Sequence, residues 1–168
     1  GYGSACLAGL AFLASRAPLP DAVAFVDADH SDHVEELPSL LAPLLEGRAD
    51  LVAGSRASGR REPGALLPQQ RFGNALAAFM IRRLYGALVT DLGPFRVVRW
   101  EALSTLGMKD RGYGWTAEMQ VKALKAGLRY AEVPVSYRKR VGRSKIAGTV
   151  RGTVGAGVKI ITTIIRYA

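Results

Sequence analysis

Val23-Ala24-Phe25-Val26-Asp27-Ala28-Asp29 is the stretch that decides how this chain folds. A short, Val-rich apolar run reads as a strand buried on both faces of a parallel sheet. It ends on two aspartates spaced i, i+2. In open α/β sheets, ligands bind just beyond the carboxyl ends of the strands, and the pair stands at such an end. Two readings are open from the spacing. Paired hard carboxylate oxygens suit Mg²⁺ or Mn²⁺, ions that commonly bridge to a substrate's phosphates. Equally, Asp27 and Asp29 can cap the helix that starts near His33.

Working outward, the pattern predicts helices over Ser4–Ala14, Val34–Leu45, Gln70–Tyr85, Glu101–Leu106 and Trp115–Ala126. Pro38 and Pro43 predict a break in the second of these. In the third, Phe72, Leu76, Phe79, Met80 and Leu84 share a face. Gly127 is the expected C′ residue of the last. Strands are predicted at Val23–Val26, Asp50–Ala53, Pro94–Val98 and Tyr130–Val135. Ala57–Pro68, with two Gly and two Pro, reads as a loop. This alternation argues for α/β layers around a mainly parallel sheet.

A chain of 168 residues is one domain with room for a substantial core. The lone Cys6 excludes an internal disulfide and a cysteine-only metal cluster, and is expected as a buried small residue. The chain opens inside a helix without Met, which predicts that a segment of the domain precedes Gly1. The net charge of +9 is uneven. Arg138, Lys139, Arg140, Arg143, Lys145, Arg151, Lys159 and Arg166 fall in the last stretch without one acid, so the rest is nearly neutral. Such a tail meets phosphates, an anionic membrane surface or nucleic acid. Tyr137 and Tyr167 are its only aromatics, too few for base stacking, so no nucleic-acid partner is expected. Residues 146–168 are apolar but interrupted by Arg151, Lys159 and Arg166, and lack the uncharged span a transmembrane helix needs. As a helix they put Lys159 and Arg166 on one face and Ile160, Ile161, Ile164 and Ile165 on the other. That pattern fits a membrane-surface helix or one packed on the domain.

Four further stretches can carry chemistry. Ala53-Gly54-Ser55-Arg56 is a strand end, a small-residue turn and an Arg that can reach a phosphate. Gln69-Gln70-Arg71 opens a helix, where anions are favoured. Asp91, in Thr90-Asp91-Leu92-Gly93-Pro94-Phe95-Arg96, can orient a sugar hydroxyl, act as a base, or fix a turn. Tyr137–Lys145 packs five cations around Gly142 directly after a strand, a phosphate-binding pattern. No G-x-G-x-x-G or P-loop Lys motif is present, which counts against dinucleotide and P-loop chemistry. Nor does any Ser sit in a nucleophile elbow.

Taken in order, these pieces resemble the family 2 glycosyltransferases of the GT-A fold, and among them the dolichyl- or polyprenyl-phosphate sugar synthases. The resemblance rests on GYGSA at Gly1–Ala5, DAD at Asp27–Asp29, AGSR at Ala53–Arg56, the Arg71 helix start, DLGPFR at Asp91–Arg96, WTAEMQ at Trp115–Gln120, EVPV at Glu132–Val135 and RVGRSK at Arg140–Lys145. It implies a three-layer sandwich of the nucleotide-diphospho-sugar transferase type, missing its N-terminal strand. Residues 1–145 would form that domain and 146–168 a basic amphipathic helix. It implies an inverting hexosyl transfer from a nucleotide diphosphate sugar, peripheral on the cytoplasmic face of the inner membrane. Asp27 and Asp29 would hold Mg²⁺ or Mn²⁺ on the donor's diphosphate, with Ser31 as a weak ligand where relatives often carry Gln. Arg56 would contact the donor phosphates. Arg71, Arg140, Arg143 and Lys145 would receive the acceptor's phosphate.

One departure has a physical meaning. Relatives that glycosylate hydroxyls often carry Glu-Asp where this chain has Glu118-Met119. A hydroxyl must lose a proton as it attacks, so a base helps. A phosphate monoester, with a second pKa of about 6, is already mostly dianionic and needs cations instead. The expectation is therefore a polyprenyl-phosphate acceptor. The alternatives are a hydroxyl acceptor with Asp91 as base, or a non-enzymatic basic module.

Overall fold

The computed structural model describes residues 1–142 and 149–168. In chain order the elements are α1 (Tyr2–Ala14), β1 (Ala22–Phe25), a 3₁₀ turn (Val34–Glu36), α2 (Leu37–Leu45), β2 (Leu51–Ser55), α3 (Pro68–Tyr85), β3 (Arg96–Arg99), α4 (Trp100–Thr105), α5 (Trp115–Lys125), β4 (Tyr130–Pro134) and α6 (Val150–Arg166). The break expected near Pro38 is the step from the 3₁₀ turn into α2, while Pro43 lies buried inside α2 without ending it. Gly127, at φ +69°, takes the left-handed place after α5.

The sheet order is β1-β3-β2-β4. β1, β2 and β4 run in one direction, and β3 runs against both neighbours. The sheet is thus mixed, and β2–β4 is its parallel ladder. The cause lies in the long connection from β2. After α3 the chain returns to the edge it left, where Asp91 meets Arg56. A strand starting from that edge must run antiparallel.

Alternation along the strands sends successive side chains to opposite layers. The paired Leu51 and Val98 join Val23, Phe25, Trp115 and Met119 in a core shared with α1, α4 and α5. Val52 and Val97 turn the other way, onto Leu40 and Leu44 of α2. Cys6 is half-buried against the first of these cores. A third cluster joins Ala77, Ala78 and Ile81 of α3, Ala117 and Val121 of α5, and Ile164 of α6.

That third cluster corrects the expected face of α3. The face of α3 that is buried carries Ala77, Ala78 and Ile81, and Phe72, Phe79 and Leu84 of the apolar face read from sequence are exposed. Small residues let α5 and α6 come close, which aromatic rings would prevent. The tail helix α6 is also packed on the domain. Ile164 is fully buried, Tyr85 Oη donates to the Ile164 carbonyl at 2.8 Å, and Lys159 pairs with Asp110 at 2.9 Å. Tyr167 Oη donates to Glu118 Oε1 at 3.0 Å. Glu118 is buried and also accepts from the Asp110 and Lys109 backbone N–H groups and from Lys122 Nζ. Burial opposes its charge, but Lys122 and these donors outweigh it and hold the carboxyl below its usual range. Glu118 is thus a tie between α5, α6 and the 109–114 loop.

Candidate active site

The carboxyl ends of β1, β2 and β4 and the start of β3 meet at one edge of the sheet. Asp27 and Asp29 follow β1, Arg56 follows β2, Asp91 precedes β3, and Tyr137–Arg140 follow β4. The segment after β4 folds back over the aspartates. Val141 N donates to the Asp29 carbonyl at 2.9 Å, Arg138 N to that of Ser31 at 3.0 Å, and Arg140 pairs with Asp29 Oδ2 at 2.7 Å. His30, at φ +67°, supplies the bend, and its carbonyl accepts from Arg138 Nε.

Asp29 Oδ1 accepts from both the backbone N–H and the hydroxyl of Ser31, at 3.0 and 2.5 Å. Ser31 is fully buried, so the side chain expected as a weak metal ligand instead orients Asp29. Asp32 is the residue that sequence reasoning passed over. It is buried, its Oδ2 accepts the Asp27 N–H at 3.3 Å, and its Oδ1 has no partner among the described residues. The extra aspartate three residues past Asp29 was the available signal, but it reads as a helix cap. Burial raises the Asp27 carboxyl, and Asp29 adds to the rise. Burial pushes Asp32 up to about 6.

Those raised carboxylates fix the sign of a pH effect. In the folded protein Asp32 titrates at about 6, above the ordinary carboxylate value of about 3.9. The folded state therefore holds the extra proton, and the contribution to stability present below about pH 4 is lost as pH rises through about 6. Asp32→Asn, which keeps an acceptor for Asp27 N–H, is expected to stabilise the metal-free protein above about pH 6 and to leave it unchanged near pH 4. Thermal melts in chelator across that range measure it.

Arg56 and Asp91 form the centre of the edge. Asp91 Oδ2 accepts from Arg56 N at 2.7 Å and Nε at 2.8 Å, and Oδ1 accepts from Nη2 at 2.7 Å. Asp91 is buried and the Arg56 side chain is only 12% exposed. The guanidinium also lies over the Tyr137 ring, 5.0 Å from its centre. Burial alone would weaken its charge, but the Asp91 hydrogen bonds raise its pKa further above the ordinary value. Asp91, read from sequence as a base or an orienter of a sugar hydroxyl, has both oxygens occupied by Arg56 and positions it. Gly93 is required beside this pair. A Cβ there would lie 2.9 Å from the Gly54 carbonyl oxygen and 3.2 Å from Arg56 Nε.

Behind the pair, Ser55 Oγ and Thr90 Oγ1 are 2.7 Å apart, Thr90 Oγ1 donates to Glu132 Oε2, and the Thr90 N–H donates to Glu132 Oε1 at 2.9 Å. Asn74 of α3 accepts from Leu92 N at 2.9 Å. These bonds fix residues 90–92. Arg96 is wholly buried and donates to the carbonyls of Gly93 and Thr116, with no carboxylate among those partners.

A cavity of about 450 Å³ opens beside Asp91, lined by Arg61, Arg71, Phe72, Asn74, Thr90 and others. Arg61 and Arg71 also line a smaller neighbouring cavity and make no ion pair among the described residues. Asp91, already bound by Arg56, is the carboxylate in the larger cavity's lining. Arg71 thus stands where an anion could be held, and Arg61, missed from sequence, stands with it. Arg143 and Lys145 lie outside the described residues. No group of three or more His, Cys, Asp or Glu side chains among the described residues is arranged to hold a metal ion. Asp27 and Asp29 could supply two oxygens of the hard type that Mg²⁺ and Mn²⁺ take, leaving the rest to substrate and water.

Comparison with known proteins identifies the family and the fold. The pattern described as Glycosyl transferase family 2 matches residues 1–107. An uncharacterised glycosyltransferase of Mycobacterium tuberculosis is 42% identical over 158 residues, covering 92% of this chain and 67% of that protein. The undecaprenyl-phosphate mannosyltransferase of Micrococcus luteus is 32% identical over 171 residues, covering 96% of this chain and 66% of that protein. The fold matches the crystal structure of glucosyl-3-phosphoglycerate synthase from Mycobacterium tuberculosis in complex with Mn²⁺, UDP and phosphoglyceric acid, at TM-score 0.70 and 21% identity, over 95% of this chain. The chain spans 52% of that solved chain, about half its length.

Proposed function

The chain belongs to glycosyl transferase family 2, and from that premise we propose that it moves a sugar from a nucleotide diphosphate donor to a polyprenyl phosphate, with inversion at the anomeric carbon. The observation that carries this reading is the cavity beside Asp91. Its lining pairs two arginines that form no ion pair among the described residues, Arg61 and Arg71, with no carboxylate except the one Arg56 already occupies. Such a cavity suits an anionic nucleophile that needs no base. The 32% identity to a polyprenyl-phosphate mannosyltransferase supports the same acceptor.

In this reading Asp27 and Asp29 hold a divalent ion, Mg²⁺ or Mn²⁺, against the donor's diphosphate, and Ser31 and Asp32 fix their loop. When bound, the ion neutralises the leaving diphosphate. Arg56, locked by Asp91 and Tyr137, turns its remaining N–H groups to the donor phosphates. Arg71 and Arg140, with Arg143 and Lys145, receive the acceptor's phosphate. An acceptor phosphate oxygen forms the new bond to the anomeric carbon as the bond to the nucleoside diphosphate breaks.

The test is a panel of UDP- and GDP-sugars with Mn²⁺ or Mg²⁺, offered a polyprenyl phosphate or the matching polyprenol. Transfer is expected to the phosphate alone and to stop in excess chelator. Arg71→Ala is expected to raise the acceptor KM more than about tenfold with the donor KM unchanged, since a charge-assisted contact to phosphate is worth about 1.5–3 kcal/mol. Preferred transfer to the polyprenol or to a free sugar hydroxyl would overturn the acceptor assignment.

A further inference from the structure

α3 and α6 pack side by side, yet each keeps an apolar stripe on its outside. On α3, Phe72 is 72% exposed and Phe79 53%, with Leu84 exposed near the helix end and Leu88 just past it. Phe72 and Phe79 are seven residues apart, so they share one side of the helix. On α6, Val154 is 59% exposed, Val158 56% and Ile165 57%, spaced as one stripe with half-buried Ile161 between the last two. Soluble surfaces scatter such residues singly, and a contiguous apolar patch marks an interaction surface.

The charges say what covers it. Neither helix contains Asp or Glu, while α3 carries Arg71, Arg82 and Arg83 and α6 carries Arg151, Lys159 and Arg166. Lys159 is tied to Asp110, and Arg166 lies 6.0 Å from the centre of the Tyr167 ring. Arg71, Arg82 and Arg83 are exposed and form no ion pair among the described residues. Exposed aromatics among unpaired arginines, with no acid, complement an anionic lipid surface. No helix among the described residues is long and apolar enough to cross a membrane.

We infer that the outer face of α3, together with the outer stripe of α6, docks this protein on an anionic lipid bilayer. The inference deepens the polyprenyl-phosphate reading and rests on it for its purpose, but not for its observations. Phe72 belongs both to this face and to the lining of the acceptor cavity, and Arg71 lines that cavity next to it. The docking face therefore opens into the acceptor site. A lipid phosphate can enter Arg71's reach while its chain stays in the bilayer. The tail helix, for which the sequence left a membrane-surface role open, is half of the surface, and α3 supplies the aromatic half.

Flotation of the protein with phosphatidylcholine vesicles, with and without phosphatidylglycerol, tests this. Wild-type protein is expected to float with the anionic vesicles, and high salt should release it. Phe72→Ser/Phe79→Ser should weaken vesicle binding at least about tenfold. Arg82→Glu/Arg83→Glu should remove most of the preference for phosphatidylglycerol. These side chains are exposed, and far-ultraviolet circular dichroism checks that the fold persists. The inference is overturned if the wild type floats with neither vesicle or if the Phe pair can be replaced without effect. It is also overturned if sedimentation shows a dimer that the Phe replacements dissociate, for the face is then a protein interface. UDP binding with Mn²⁺, measured on the wild type without lipid, separates the two readings. Vesicle binding without nucleotide binding would sink the donor assignment and leave the docking face standing.

Discussion

Asp29→Ala is expected to lower sugar transfer about a thousandfold or more, since a metal ion's stabilisation of transition-state charge is worth several kcal/mol. The fold should survive it. The side-chain partners of Asp29 among the described residues are Arg140, which is itself over 40% exposed, and Ser31 two residues away. Removing the Asp29 charge also relieves the repulsion that helps raise Asp27. A melting temperature near that of the wild type together with lost transfer is therefore the expected pair of results. Arg140→Ala is the companion measurement. It breaks the same ion pair but keeps both carboxylates, so the effect of added Mn²⁺ on UDP binding should persist in it and vanish in Asp29→Ala. Asp29→Ala activity within tenfold of the wild type would remove the metal role from the pair.

Asp91→Asn is the second change with a large expected effect, and here fold and activity should fall together. The Arg56–Asp91 pair is buried with all three of its bonds at 2.7–2.8 Å. Breaking a buried pair leaves an uncompensated charge and costs about 3–5 kcal/mol. Denaturant titration should show a loss of that order. Transfer should drop about a hundredfold as the guanidinium loses its fixed position. Arg56→Lys, which cannot reproduce the planar fork, should do nearly the same, and the double variant should be little worse than either single. A base would behave differently. If Asp91 took a proton from the acceptor, Asp91→Asn would erase the acidic limb of the pH–rate profile, and its effect would add to that of Arg56→Lys.

Much of this site could be read from residue order. The Val-rich run ending in Asp27 and Asp29, the Arg56 turn and the Asp91 turn all lie beside strand ends, and period-2 and period-3.6 patterns locate strand ends well. Strand direction was not legible. Pro94–Val98 reads as a strand whichever way it runs, and only the return of the chain to Arg56 makes β3 antiparallel. Partnership between side chains was also hidden. Asp91 and Arg56 are 35 residues apart and Asp29 and Arg140 over a hundred, and no local pattern says which charges will neutralise each other. The buried side of α3 was misjudged for a related reason. Periodicity finds the most hydrophobic face, but close packing of α5 and α6 selected the face with the smallest residues, leaving the aromatic rings outside. Arg138, Arg140 and Val141 after β4, in sequence remote from the aspartates, lie across their loop.

The Arg140–Asp29 contact has a consequence for the order in which substrates arrive. Arg140 is the cation on Asp29 Oδ2, so in the proposed reading an acceptor phosphate would compete with a carboxylate for it. If Asp27 and Asp29 held the ion on the donor's diphosphate, as proposed, Arg140 would give up this ion pair and be free for an incoming phosphate. Donor-first, sequential kinetics follow. Initial rates should give intersecting lines, and the acceptor should bind measurably only to protein already loaded with nucleotide. In that reading one arginine would serve in turn as a stand-in for the ion and as a receptor for the incoming phosphate, disfavouring premature acceptor binding.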